Sequence, residues 1–218
     1  MNNYRAILKR VGVVLIIVGI LDLVYFFQVI PPPGRSYSSS FIYLIVIGVL
    51  FLRGNLRPVP LVTWVTALLL SYFITSLFIL FPLRPAELWA TEFRLDSVSF
   101  SLSLLYKIAT ISLLFWVYIQ LRATPIVRAT LKSGHSASTP KLAFILGVVF
   151  VALIAGMMHF IRVSETGIKA VEIAQAQYGK VYKYHITGIS WENGQVRASL
   201  IAYNKQEIKP VKVEWSSQ

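Results

Sequence analysis

Cysteine is missing altogether from this chain, and acidic residues are scarce, nine against 21 lysines and arginines. Without a thiol there is no disulfide, no thiolate metal site and no cysteine nucleophile. No HExxH, GxSxG, Walker A or dinucleotide-binding fingerprint occurs either. The three histidines, His135, His159 and His185, fall in a polar loop, at a helix end and in a strand pattern, so they cannot share a metal or a haem. Asp22 is the one acid inside an apolar segment, which excludes a paired-aspartate intramembrane hydrolase. Ser103, four residues before Lys107, shares its helix face but is read as bonding its own backbone rather than as half of a Ser-Lys dyad. The sequence thus implies no enzyme, no catalytic residue, no cofactor and no metal.

Hydrophobic residues, by contrast, make up 56% of the 218 positions and charged ones only 14%, a balance that belongs in lipid. Five segments fit transmembrane helices: 11–30, 37–52, 61–81, 98–121 and 142–161. Four have about the 20 residues that roughly 30 Å of hydrocarbon requires. The second is shorter, its apolar run being Phe41 to Leu52, and spans only if Ser36 to Ser40 form its first turn. Pro31-Pro32-Pro33-Gly34 ends the first helix in a stiff turn, and no small-x-small cleavage site precedes it, so segment 11–30 reads as an uncleaved anchor. Residues 1–162 form the expected five-helix transmembrane domain and 163–218 a small extracytoplasmic one.

Lysine and arginine collect in cytoplasmic segments. With the N-terminus inside, those segments carry Arg5, Lys9, Arg10, Arg53, Arg57, Arg122, Arg128, Lys132 and Lys141 and no acid. The outer loops hold Arg35, Arg84 and Arg94, offset by Glu87, Glu92 and Asp96. The net charge of +12 is therefore largely an orientation signal, and no basic cluster interleaved with aromatics suggests nucleic acid. The loop from Arg84 to Ser97, with Trp89 and Phe93 among acids, reads as an amphipathic turn at the outer interface, and Lys132 to Pro140 as a flexible polar linker.

The tail changes period. Helical spacing from Ser164 to Tyr178 stops at Gly179, and alternation then marks three strands, with a bulge at Gly188 and an Asn193-Gly194 hairpin turn. A helix plus a three-stranded antiparallel meander is expected, with Tyr182, Tyr184, Trp191, Tyr203 and Trp215 as a candidate contact face that a short sheet can equally spend on its own core.

Asp22 and Lys107 lie about 12 to 14 Å below the outer ends of the first and fourth segments. Charges at that depth pair or line a wet cavity, so they are expected to form an intramembrane ion pair. Tyr25, Gln28 and Tyr106 extend a polar patch outward, and His159 and Arg162 read as interfacial anchors. In the last segment, Ala143 with Gly147 and Ala152 with Gly156 form a candidate helix-packing face. No internal repeat of the secondary-transporter kind is present.

These features imply an accessory or assembly subunit of a bacterial inner-membrane complex, with a periplasmic contact domain. Its partners would be membrane lipids and other membrane-protein subunits, or copies of itself. A small transporter using Asp22 and Lys107 is the second reading, and a membrane immunity or envelope-sensing protein the third.

Overall fold

The structure is a computed structural model and describes residues 3–28, 41–192 and 194–216. The turn at Pro31 to Gly34, the Ser36 to Ser40 extension and Asn193 lie outside the described residues, and so do the side chains of Tyr25 and Gln28. In chain order the elements are α1 (Asn3–Gln28), α2 (Phe41–Leu52), α3 (Val59–Leu83), α4 (Ala86–Leu95), α5 (Ser97–Leu121), α6 (Thr124–Lys132), α7 (Lys141–Val163), α8 (Glu165–Tyr178), β1 (Lys183–Glu192), β2 (Gln195–Tyr203) and β3 (Ile208–Ser216).

Among the described residues, three helices are long and apolar enough to cross a membrane: Val59–Leu80 within α3, then α5 and α7. At 1.5 Å per residue each exceeds the roughly 30 Å of hydrocarbon. The 12 residues of α2 cover only about 18 Å. The chain divides into two compact units, residues 1–70 with 112–144 and residues 71–111 with 145–218, and the division falls inside α3, α5 and α7.

The core of the first unit is a stripe along α1, where Leu8, Val11 and Leu15 recur at three- and four-residue steps and meet Phe51, Val62, Val117, Leu121 and Ile126. Within it α1 and α2 touch backbone to backbone. A Cβ added at Gly12 would stand 2.6 Å from the Gly48 carbonyl oxygen, and one at Gly48 would stand 2.7 Å from that of Gly12. Arg5 packs beside Gly54, so α2 runs back along α1. The expected linker at Lys132 to Pro140 has no regular structure beyond Gly134 and is hydrogen-bonded to Arg122. The Arg122 guanidinium donates to the Ala137 carbonyl at 2.7 Å and to Thr139 Oγ1 at 2.9 Å, tying the segment down after α6. Between α5 and that segment lies α6, with Pro125 in its first turn and Ile126 fully buried beneath it.

In the second unit, the tail follows its sequence pattern. Ser164 caps α8, its hydroxyl accepting from Gly167 N at 3.1 Å, and Gly179 at φ +94° ends it. The three strands form an antiparallel meander in the order β1-β2-β3, with the register slipping between Ile186 and Gly188 as a bulge. Val196, Ala198, Leu200 and Ala202 point to one face, and the last three are buried with Val211 and Val213 against Ala170 and Ala174 of α8. Fully burying a Val or Leu side chain is worth about 1.5–3 kcal/mol, so Leu200, Val211 and Val213 contribute more than the alanines that let α8 approach the sheet. Period-2 alternation fails at one end of the sheet: His185 and Tyr203, on the opposite face, are buried as well. Their cover comes from α4 and the end of α7.

Candidate functional site

The expected amphipathic turn is a ten-residue helix, α4, started by Pro85. It buries Leu88 and Thr91 on one face and lays Trp89 and Phe93 edge-on to Phe100 at 5.4 and 5.6 Å. The tail locks onto it at three points. Lys183 pairs with Glu87, Arg94 donates to the Lys205 carbonyl at 3.2 Å, and Thr91 Oγ1, which donates to the Glu87 carbonyl of its own helix at 2.9 Å, lies 3.3 Å from the Asn204 carbonyl. The turn that receives α4 is itself fixed, because Asn204 Oδ1 accepts from the backbone N–H groups of Gln206 and Glu207. The Lys183–Glu87 pair is solvent-exposed and contributes little. Thr91 is buried where the tail meets α4, and Leu88 is buried on the same helix face.

Arg162 is the node of this assembly. It sits at the end of α7, donates to the Leu83 carbonyl at 2.8 Å, one of the orphan acceptors at the end of α3, and places its other terminal nitrogen 3.1 Å from His185 Nε2. A guanidinium can only donate, so His185 Nε2 accepts and the ring proton resides on Nδ1. Arg162 Nε is buried without a partner among the described residues. Reading Arg162 as an interfacial anchor therefore missed its role in joining α3, α7 and β1, which a lone arginine at a helix end does not signal.

His185 is held neutral. Burial, and after it the positive charges of Arg162 and Arg84, push its pKa down to about 4. Because the folded value lies below the ordinary 6.5, the unfolded chain takes up a proton first as pH falls. Stability is thus complete above 6.5 and declines toward 4. In this partly solvated setting the loss is on the order of 2 kcal/mol. Thermal unfolding of the full chain in detergent should show a lower Tm at pH 5 than at pH 7. His185→Asn should flatten that difference.

Arg84 binds Glu92 through both terminal nitrogens, at 3.1 and 3.2 Å, and stacks over Trp89 at 5.0 Å from the ring centre. Beside it opens a cavity of about 320 Å³, lined by Tyr72, Phe73, Ser76, Leu77, Leu80 and Trp89, with Arg84 and Lys107 as its cations. Lys107 is exposed and, among the described residues of its unit, has no carboxylate or hydrogen-bond partner. Asp22 is half-buried on α1 in the other unit. Ser103 Oγ donates to the Phe100 carbonyl at 2.8 Å, as its helical position suggested, and is not directed at Lys107.

On α7, Ala143 and Gly147 are buried, whereas Ala152 and Gly156 are exposed and a Cβ at Gly156 would meet nothing within 4 Å. Four of the five tail aromatics are spent internally. Tyr182 donates to Glu207, Tyr184 donates to the Gly179 carbonyl at 2.7 Å, Tyr203 is buried and Trp215 packs on the sheet core. Trp191 stays 63% exposed at the far end of β1.

Together these elements describe an apolar helical protein carrying a small α+β module bound to its own α4. No family model, no curated protein and no solved structure matches this chain.

Proposed function

We propose that this is a non-catalytic integral membrane protein of five spans, N-terminus cytoplasmic and tail periplasmic in a bacterial inner membrane, acting as an accessory or assembly subunit of a larger membrane complex. The observation that carries the reading is the bracing of the tail. One end of the sheet is fastened to α4 and Arg162, while Trp191 and the β1–β2 hairpin stand at the other end, about 30 Å away along a ten-residue strand. A module fixed in direction, with an exposed tryptophan at its free end, suits a lasting contact with a partner.

Topology is supported by parity. The tail and α4 touch, so they share one side of the bilayer, and α5 with α7 supply the two crossings that return the chain there. The close α1–α2 pairing at Gly12 and Gly48 supports a further pair of crossings, and the basic residues favour the cytoplasm for the N-terminal side. The test is to purify the full-length chain and Trp191→Asp from native membranes in mild detergent. The wild type should carry a second membrane protein at near-equal amount, and Trp191→Asp should lose it with an unchanged Tm. A wild type found only as monomer or homo-oligomer would sink this reading.

Lys107, lining its cavity, favours a second reading as a small transporter in which Asp22 and Lys107 pair within the membrane. Solute flux in proteoliposomes that disappears on neutralising either residue would favour it.

A further inference from the structure

The cavity between α3, α4 and α5 is cationic, apolar-walled and large enough for about ten water volumes. Its two cations are not equivalent. Arg84 is satisfied by Glu92 and Trp89, whereas Lys107 meets no acid among the described residues of its unit. The Arg84 charge is offset by Glu92, which leaves Lys107 as the uncompensated cation of the lining.

Lys107 lies ten residues, about 15 Å, inside the start of α5. Side chains lean toward a helix's N-terminus, so its ammonium climbs toward the α4 end, where headgroups of a bilayer would lie. Leu77 and Leu80 form the apolar wall beside it. Around it α5 exposes Leu102, Leu105 and Ile108.

We propose that this cavity binds the phosphate headgroup of an anionic phospholipid, with Lys107 as the recognising cation. This goes beyond the accessory-subunit reading and requires only that α3 and α5 lie in a bilayer.

The experiment is native mass spectrometry of the full-length protein, delipidated in detergent and titrated with phosphatidylglycerol or with phosphatidylcholine of the same acyl chains. The wild type should retain phosphatidylglycerol preferentially. Lys107→Gln should weaken that retention about tenfold with an unchanged Tm, and Lys107→Arg should restore it. Asp22→Asn should leave it unchanged. Equal retention of the two lipids, or no effect of Lys107→Gln, would overturn the proposal. So would tighter retention in Asp22→Asn, which would show Asp22 holding Lys107, or equal competition by soluble glycerol phosphate, which would show a site for free phosphate.

Discussion

Gly167→Ala is expected to release the tail from the rest of its unit, even though alanine in a helix interior normally gains about 1 kcal/mol over glycine. The reversal follows from contact. A Cβ at position 167 would lie 2.1 Å from the Ile161 carbonyl oxygen and 3.2 Å from that of Arg162, both backbone atoms of the helix that ends just before α8. Neither can step aside without moving α7 or swinging α8 away. Because α8 carries the buried face of the sheet, the swing would break the Arg162–His185 contact and pull Asn204 from Thr91. A loss of at least about 3 kcal/mol is expected, the upper range for overpacking. Limited proteolysis should then remove the tail at protease levels the wild type withstands. Gly156→Ala, with open space around its Cβ, should leave the digestion pattern unchanged.

At the other unit, Gly48→Leu should be nearly as damaging. The new side chain would start 2.6 Å from Ile16 Cγ1 and 2.7 Å from the Gly12 carbonyl oxygen. Ile16 can rotate, but the carbonyl belongs to α1 and cannot. Apolar helices in lipid gain little from burial as such and associate through close packing, so separating α1 from α2 removes the main contact holding α2. Gly48→Ala should cost about 1–3 kcal/mol and Gly48→Leu more. The graded fall in Tm and in yield of folded protein would be read in one detergent. A tolerated leucine would mean that α1 and α2 do not meet at these glycines.

Features decided locally were legible in the sequence. The hydrophobic length of α3, α5 and α7, the stop at Gly179, the bulge at Gly188 and the alternation in β2 each depend on a few neighbouring residues. What escaped depends on distant ones. His185 lies on the polar phase of β1 and is buried because another segment covers it. Gly12 and Gly48 belong to no small-xxx-small spacing, since each glycine's partner is on the other helix. The spacing that was visible, on α7, divides instead between buried Ala143 and Gly147 and exposed Ala152 and Gly156. The tail aromatics showed the same ambiguity, their composition fitting a contact face and a small core equally well, and the structure uses four of them in the tail itself. Lys107 was legible as a costly charge, though not the cavity it lines.

The fastening of the tail also bears on how the chain is made. Lys183 is 96 residues from Glu87, and Asn204 is 113 from Thr91. During synthesis α4 emerges long before its mate exists, and Thr91 and the backbone it must cover wait while two further apolar helices are threaded. The clasp can close only when the turn after β2 has been delivered to the side on which α4 was left. A chain inserted with one helix missed or reversed strands its tail on the wrong face, with His185 and Tyr203 uncovered. Closure is therefore open only to a chain that has brought its tail to the side of α4.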